Sequence, residues 1–257
     1  MCGRLVITEP DLSVFVAPFH VQQVDVSEWI PRYNLAPTQL APLITNEGER
    51  RLTLGRFGLV PSWADGAKVG NKLINARVEG VATSKAFGRA LRSRRGVVPV
   101  SGYFEWRAGA NGKKQPLFIH DQSGKPLALA ALWDRWRGPD GEVVESFAVI
   151  TRPAAGFLEA VHSRMPLSLP PEHVERWLSP DAATPQELEA VLSRRPDVES
   201  LTAQAVSALA NSPKNDGPEC LAEAQESAEP ERQQRQLELF ESIASAPARA
   251  SGRSRSR

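Results

Sequence analysis

GVVPVSGYFEW (residues 96–106) is dense in β-branched and aromatic residues, a composition that favours a β-strand. Shorter runs of the same kind precede and follow it, and glycine- or proline-containing turns separate them. The sequence therefore predicts a chain dominated by short strands. The other predicted strands are GRLVI (3–7), APLIT (41–45), QPLFIH (115–120), PLALAALW (126–133) and ESFAVIT (145–151).

Helix signals are fewer. TPQE (184–187) has the pattern of a capping box with proline at the first helical position, and it predicts a helix that ends near residue 192. Two further helices are predicted at 171–178 and 79–94. Together these patterns predict an α+β fold with a β-rich, barrel-like core and flanking helices. The sequence contains neither a strand followed by GxGxxG nor a P-loop, which argues against a dinucleotide-binding or P-loop enzyme.

The composition changes near residue 221. All six tryptophans lie before residue 180, whereas residues 221–257 hold one aromatic, Phe240, and end in ASGRSRSR. A segment with so little apolar surface does not offset the entropy lost on ordering. We therefore predict one domain over residues 1–220 and a disordered C-terminal tail over 221–257.

Charge and cysteine content narrow the class of protein. The formal net charge of +1 excludes a broad, charge-driven nucleic-acid binder but is compatible with a local basic face. Cys2 and Cys220 are too few for a disulfide framework or a zinc site, so we expect no metal, no cofactor and a cytoplasmic location. No run reaches the roughly 18 consecutive apolar residues that a membrane-spanning helix needs, and no membrane association is predicted.

Cys2 carries the most distinctive chemistry. Removal of Met1 would leave a cysteine with a free α-amine and a thiol on adjacent carbons. An aldehyde that meets this pair forms a Schiff base, which the thiol closes to a thiazolidine. The amine is a good nucleophile, because with a pKa of about 7.8 roughly 14% of it is unprotonated at pH 7, against about 0.04% of a lysine. N-terminal-nucleophile amidotransferases also begin Met-Cys-Gly, however, and use the thiol to attack an amide.

Further motifs occur in order along the chain and resemble the SOS-response-associated peptidase (SRAP) family, the abasic-site shielding proteins. The resemblance runs from residue 2 to about residue 221 and implies the compact SRAP fold. The motifs are MCGR (1–4), RYNLAP (32–37), GLVPSW (58–63), INARVE (74–79), GYFEW (102–106), ALWDRW (131–136), HSRMP (162–166) and VSALANSPKND (206–216).

The resemblance also implies a reaction. Cys2 would trap the ring-opened aldehyde of an abasic site in single-stranded DNA as a stable thiazolidine. Asn75 would hold Cys2 or the sugar in place, Glu105 would act as general acid and base, and His162 would move protons on the sugar oxygen. Removal of the chain's own first residue and some lyase activity at abasic sites are further implications.

DNA contacts are expected from two sources. The resemblance implies that Arg77 contacts the phosphate next to the lesion, and that Arg4 and Asn34 bind phosphate or shape the pocket. Residue chemistry adds aromatic stacking on bases and a basic surface, since residues 85–95 hold five cations and no acid. The residues predicted to contact DNA are Arg4, Asn34, Trp63, Arg77, Lys85 and Trp106.

The predicted tail contains a short apolar motif, QLELF (236–240). It resembles the peptide by which bacterial replication and repair proteins bind the sliding clamp. In that resemblance Gln236 anchors the peptide, with Leu237 beside it, while Leu239 and Phe240 fill an apolar pocket. The sequence therefore predicts the sliding clamp as a partner.

Two other classes stay open at this level. A cysteine amidohydrolase or peptidase that acts on other substrates would be labelled at Cys2 by a glutamine analogue. A non-covalent DNA-binding adaptor would release DNA completely in denaturant. The prediction favoured by the resemblance is a monomeric, nucleoid-associated protein that binds single-stranded DNA with an abasic site.

Overall fold

The computed structural model describes residues 2–109, 112–179, 181 and 183–224. Within them, thirteen β-strands and four short α-helices confirm the predicted α+β class. The predicted tail beyond Ala224, with its motif at 236–240, lies outside the described residues.

A hairpin of two eleven-residue strands, β10 (Leu127–Arg137) and β11 (Val143–Pro153), organises the larger sheet. Nearly every residue of β10 is buried, and its run of alanine and leucine is the pattern expected of a strand covered on both faces. The hairpin extends through antiparallel neighbours to β7 (Arg95–Val100), β4 (Leu40–Thr45) and β5 (Arg51–Phe57).

The larger sheet closes on itself because β5 pairs with β11 in parallel. Phe57 lies opposite Phe147 in this pairing, and their rings stack with centroids 5.2 Å apart. Gly55 makes room for the closure, since a Cβ at this position would lie 2.8 Å from Cδ2 of Leu43. The result is a five-stranded barrel, which confirms the predicted barrel-like core.

A second sheet has five antiparallel strands. In spatial order they are β13 (Leu201–Ala205), β9 (Lys114–Asp121), β8 (Gly102–Ala108), β1 (Leu5–Ile7) and β3 (Arg32–Leu35). This sheet brings the start of the chain beside the GYFEW motif.

The predicted strand 96–106 is two strands, β7 and β8, because the chain passes from the barrel to the second sheet at Ser101. The Ser101 N–H donates to the carbonyl of Val6 (2.8 Å), which fixes this corner. Gly102 is required next, because a Cβ there would lie 2.4 Å from the carbonyl oxygen of Ile119.

Three short strands extend the barrel sheet. β2 (Gln23–Val24) pairs with β5, while β6 (Asn75–Arg77) and β12 (Arg164–Pro166) both pair with β11. The helices are α1 (Leu12–Val16), α2 (Gly88–Ser93), α3 (Pro171–Trp177) and α4 (Pro185–Leu192). None of the helices in the described part of the chain has both the length and the apolar character needed to cross a membrane.

The helix predictions had mixed outcomes. α4 is confirmed, and both halves of its capping box form, since Thr184 Oγ1 accepts from the Glu187 N–H (3.2 Å) and the Glu187 side chain accepts from the Thr184 N–H (2.9 Å). The helix at 171–178 is confirmed as α3. The helix at 79–94 is wrong over its first half, because residues 78–87 form turns and only α2 is helical. Glycine, serine and β-branched residues in that half favour turns over helix.

Contacts with the second sheet continue beyond the predicted boundary at residue 220. The Ser207 N–H donates to the Ala222 carbonyl (2.8 Å), and the Ala224 N–H donates to the Ala205 carbonyl (3.1 Å). The compact unit therefore extends to Ala224.

Candidate functional site

Cys2 is fully buried where the start of the chain leads into β1. Its carbonyl accepts a hydrogen bond from Nδ2 of Asn75 (3.0 Å), which also donates to the carbonyl of Ile74 (3.0 Å). β6 carries Asn75 and is held in place by its parallel pairing with β11, where Asn75 lies opposite Val149. The other amide atom, Oδ1 of Asn75, is buried and makes no hydrogen bond within the described chain.

Tyr103 and Glu105 lie on the same face of β8, because side chains alternate along a strand. Both are buried. Phe104 and Trp106 pack on the opposite face with Val6. Glu105 is therefore desolvated as expected from the sequence, but its shelter comes from the face that it shares with Tyr103 and not from the two aromatic residues beside it in the chain.

The electrostatics of these groups are coupled. Burial raises the pKa of the Cys2 thiol far above its usual range, and the negative charge of Glu105 raises it further. Burial likewise raises the pKa of the Tyr103 phenol, with added contributions from Cys2 and Glu105. At neutral pH the site therefore holds a protonated thiol and a protonated phenol beside a buried carboxyl group.

His162 lies in the turn that leads into β12 and is half-buried. Its Nδ1 accepts the backbone N–H of Arg164 (2.9 Å) and also lies 3.2 Å from the Arg164 carbonyl oxygen. Arg164 binds Glu79 through both guanidinium nitrogens (2.5 and 3.1 Å) and donates to the carbonyl of Thr151 (2.6 Å). The antiparallel pairing of β12 with β11 places β12 along one edge of β11.

β6 lies along β11 as well, with exposed Arg77 opposite Thr151. The end of β11 therefore positions β6, which carries Asn75 and Arg77, and it also positions β12, which follows the His162 turn. The structure brings Cys2, Asn75 and Glu105 together as the sequence predicts. It adds Tyr103, which is buried beside Cys2 and Glu105 and is not among the predicted site residues.

Arg4, Asn34 and Trp106 form a second group. Nη1 of Arg4 donates to Oδ1 of Asn34 (2.9 Å), and the Arg4 guanidinium lies 5.6 Å from the ring centroid of Trp106. Nε1 of Trp106 donates to Oδ1 of Asn211 (2.7 Å). Asn34 is fully buried, and its Nδ2 donates to backbone carbonyls at 210, 212 and 215. Of its two predicted roles, this placement favours shaping the pocket.

Trp63 is 60% exposed, yet the loop that carries it is tightly held. On one side of Trp63, the Ser62 N–H donates to the buried carboxylate of Asp134 (2.8 Å). On the other side, the Ala64 carbonyl accepts from Nε1 of Trp136 (2.7 Å). The ALWDRW motif therefore fixes the backbone of the GLVPSW motif and leaves the Trp63 indole facing solvent.

The basic stretch at 85–95 is only partly a surface. Arg95 is fully buried and donates to backbone carbonyls, among them that of Trp177 (2.8 Å). Arg94 forms an ion pair with Asp134. The expectation of five surface cations is thus wrong for Arg95 and weakened for Arg94, because both satisfy groups that the rest of the fold presents. The exposed cations of the stretch are Lys85, Arg89 and Arg92.

Within the described residues, no group of three or more His, Cys, Asp or Glu side chains is placed to hold a metal ion.

The barrel and the second sheet together enclose a buried cysteine near the start of the chain. This combination defines a distinct class of protein. The family model described as SOS response associated peptidase (SRAP) matches residues 1–213. The chain belongs to this family.

Several relatives are similar over most of the chain. The abasic site processing protein YoqW of Bacillus subtilis (strain 168) is 34% identical over 223 residues, which cover 86% of this chain and 99% of YoqW. YoaM of the same organism, also an abasic site processing protein, is 34% identical over 86% of this chain and 97% of its own. The abasic site processing protein HMCES of Mus musculus is 29% identical over 78% of this chain and 67% of its own.

Solved structures share the fold. A protein from Bacteroides thetaiotaomicron superposes with a TM-score of 0.76 at 24% identity, over 87% of this chain and 100% of that chain. A protein from Bordetella bronchiseptica gives a TM-score of 0.68 at 24% identity, over 80% of this chain and 100% of that chain. These likenesses show the compact SRAP fold predicted from the motifs.

Proposed function

We propose that this protein senses abasic sites in single-stranded DNA and caps them covalently through Cys2 once Met1 has been removed. The family membership and the relatives named abasic site processing proteins support this proposal. The observation that carries it is the hydrogen bond from Asn75 to the Cys2 carbonyl, which fixes the cysteine backbone in a pocket that also holds Glu105.

The proposed reaction has two steps. The α-amine of Cys2 adds to the aldehyde carbon of the ring-opened sugar, and loss of water gives a Schiff base. Glu105 donates a proton to the departing hydroxyl, which leaves as water, and the Schiff base is formed in its N-protonated state. The thiol sulfur then bonds to the same carbon while the C=N electron pair returns to nitrogen, and the thiol proton passes to the Glu105 carboxylate, which restores it. His162 serves the oxygens of the sugar.

The raised pKa of the Cys2 thiol favours a reaction in which the amine attacks first and the thiol closes the ring afterwards. A hydrolase that attacks amides with sulfur needs a thiolate, which burial and Glu105 both disfavour here. A thiol that closes a ring onto an imine brings its own proton to the step. The same environment that opposes the amidohydrolase alternative is therefore compatible with thiazolidine formation.

DNA would be held outside the Cys2 pocket. Arg77 would contact the phosphate beside the lesion, and Trp106 with its stacked Arg4 would contact a neighbouring nucleotide. Trp63 would stack on an unpaired base, because its indole is exposed on a fixed loop. Lys85, with the nearby exposed cations of α2, would add phosphate contacts.

The decisive experiment mixes purified protein with a single-stranded oligonucleotide that carries one abasic site. We expect a band that survives denaturing electrophoresis for the wild type and no such band for Cys2→Ala. Cys2→Ser keeps the amine but lacks the sulfur, so it should give only a Schiff base that borohydride traps. DNA release in denaturant by the wild type would instead support the non-covalent adaptor.

Two associated activities belong to the same proposal. A Schiff base acidifies the neighbouring sugar proton, so strand cleavage should accompany slow ring closure and increase in Cys2→Ser. Exposure of the Cys2 amine requires loss of Met1, which intact-mass measurement of the working protein reports directly. Retention of Met1 in active protein would overturn the mechanism.

Recruitment would use the tail. We propose that Gln236, Leu237, Leu239 and Phe240 bind the bacterial sliding clamp, which would place a monomeric protein at the nucleoid. A labelled peptide of residues 230–245 should bind the clamp with micromolar affinity by fluorescence polarisation. The double substitution Leu239→Ala with Phe240→Ala should abolish binding, and unchanged binding would remove the motif from consideration.

A further inference from the structure

A cavity of about 450 Å³ lies between the barrel and the open end of the second sheet. Apolar side chains such as Leu129, Met165 and Leu167 form part of its wall, and loops at 121–126 and 194–197 form its rim. Cys2, Asn75, Glu105 and His162 do not line it, whereas Tyr103, which lies beside Cys2 and Glu105, does, so the cavity adjoins the candidate catalytic site. Its volume is in the range of sites that bind small organic molecules, about 300–1,000 Å³.

Two residues that line this cavity each carry a buried hydrogen-bond donor that lacks a partner within the described chain. The first is the hydroxyl of Tyr103, whose residue is 1% exposed. The second is Nε of Arg152, near the end of β11. A buried donor without an acceptor costs about 1–3 kcal/mol. Two such residues on the same cavity indicate a place for an acceptor group.

The charges around the cavity are unbalanced. Its described lining residues include two acids, Asp121 and Asp197, and the Asp121 carboxylate already accepts from the N–H (2.8 Å) and hydroxyl (2.5 Å) of Ser123. The basic lining residues number four and leave a surplus of two positive charges. They are Lys125, Arg152, Arg194 and Arg195.

Arg152 lies in a positively charged environment. Burial lowers its pKa, and the nearby Arg194 and Arg164 lower it further, with only partial compensation from Glu79. Nη1 of Arg152 donates to the carbonyl of Arg194 and thereby fixes the side chain, while Nε is buried without a partner in the described chain. An anion beside Arg152 would relieve this repulsion.

We infer that this cavity binds a phosphomonoester of nucleotide size. The surplus of two positive charges matches the charge of about −1.5 to −2 on a phosphomonoester at neutral pH. Arg152 and the Tyr103 hydroxyl donate to the phosphate oxygens, since guanidinium binds phosphate in a fixed planar geometry. The apolar wall around Leu129 and Met165 covers the organic part of the ligand.

Isothermal titration calorimetry of the full chain with deoxyadenosine monophosphate tests this inference. We expect binding with a dissociation constant below 1 millimolar, on the order of an ordinary small-ligand site, and at least tenfold weaker binding of deoxyadenosine, which lacks the phosphate. Arg152→Gln should weaken nucleotide binding at least tenfold, and Tyr103→Phe several-fold. Arg137→Gln, at the exposed end of β10, is the matched control and should have no effect.

The outcomes are distinguishable from those for the Cys2 chemistry, because deoxyadenosine monophosphate has no aldehyde to capture. No binding to the wild type, or binding that both Arg152→Gln and Tyr103→Phe leave unchanged in folded protein, would overturn the inference. Thermal unfolding monitored by circular dichroism establishes that each variant is folded. If Arg152→Gln fails to fold, the Tyr103→Phe result decides alone.

The phosphomonoester has two sources, a free nucleotide or the 5′-phosphorylated end of a DNA strand. A decanucleotide that carries a 5′-phosphate should displace the mononucleotide if a strand end occupies the cavity. If the occupant is a free nucleotide, both ligands should bind together. Either result supports the site, and it also separates the two sources.

Discussion

The Cys2 pocket and the Trp63 loop both fix the backbone of a functional residue, but they treat the side chain in opposite ways. Cys2 is fully buried beside Glu105 and Tyr103, and Asn75 holds its carbonyl. Trp63 is 60% exposed on a loop whose two neighbouring residues are both hydrogen-bonded to the barrel. The first arrangement controls the protonation and direction of a reacting group. The second offers a rigid surface to a partner, so substitution of Trp63 should change the affinity for DNA and not the rate of cross-linking.

The largest expected effect is on the rate of cross-linking when Asn75 is changed to alanine. Loss of the Nδ2 hydrogen bond frees the Cys2 backbone, and misplacement of a reacting group by about 1 Å can cost on the order of 100-fold in rate. We expect single-turnover cross-linking to an abasic oligonucleotide to slow by about that factor. Affinity for intact single-stranded DNA, measured by fluorescence anisotropy, should stay within about twofold.

Asn71→Ala is the control, since Asn71 is exposed in the segment before β6 and its contact is with Arg56. It should leave both the rate and the affinity unchanged. Equal losses of rate and affinity in Asn75→Ala would show that the Cys2 pocket and the DNA surface are not separable in the way proposed.

The next effect concerns DNA affinity. Stacking of one base on an aromatic side chain contributes about 1–3 kcal/mol, so Trp63→Ala should weaken binding of single-stranded DNA by roughly tenfold. Trp136→Phe removes the hydrogen bond to the Ala64 carbonyl together with part of the ring that packs in the core, and it should weaken binding about threefold, because the Trp63 loop loses one of its two attachments.

A double-mutant cycle separates this indirect role from general destabilisation. In the Trp63→Ala background, Trp136→Phe should have no further effect on affinity, since the indole that the loop positions is already gone. Additive losses would show that Trp136 acts through the overall stability of the fold.

A smaller effect should appear in the salt dependence of DNA binding. Arg89 and Arg92 are exposed, whereas Arg95 is fully buried against backbone carbonyls. Each phosphate contact contributes about 0.7 to the slope of log affinity against log salt for single strands. Arg89→Gln with Arg92→Gln should therefore reduce the slope by up to about 1.4, as measured by titration at several salt concentrations.

Arg95→Gln should leave that slope unchanged and instead lower the free energy of unfolding by about 3 kcal/mol, since it leaves buried carbonyls without donors. A reduced slope for Arg95→Gln in folded protein would contradict the burial of its guanidinium group.

Arg95 also illustrates what the sequence does not reveal. The residues that precede it, at 92–94, are basic and polar, which is typical of a surface. Its guanidinium donates to carbonyls at 91 and 92, but also to carbonyls at 177, 179 and 181, more than 80 residues away. Likewise β5 was not predicted, because Gly55 and two arginines obscure its pattern, and its role is defined by pairing with β11.

The sequence predicts the structure correctly where the interacting residues lie close together in the chain. The capping box of α4 forms between Thr184 and Glu187, and it needs no partner elsewhere. The motif residues Asn75 and Glu105 were predicted to lie near Cys2 from family resemblance, and the strands do bring them there. Tyr103 was missed as a site residue because its position depends on the pairing of β8 with β1, where it lies opposite Leu5.

The smallest expected effect is a shift in the pH dependence of Cys2 reactivity. The negative charge of Glu105 opposes formation of the thiolate, so Glu105→Gln should lower the pKa of the Cys2 thiol. Burial is the larger cause of the raised pKa and persists in the variant, so we expect the shift to be below about one pH unit. The rate of alkylation by iodoacetamide, followed at Cys2 by mass spectrometry between pH 7 and 10, should therefore rise at lower pH in Glu105→Gln than in the wild type.

Cys220 is an internal reference, because it is buried in a different cluster, on the other face of β8. An equal shift at both cysteines would mean that the substitution loosens the fold. No shift at Cys2 would mean that the charge of Glu105 does not affect the thiol, and that Glu105 takes part in the capture of the sugar only through hydrogen bonds.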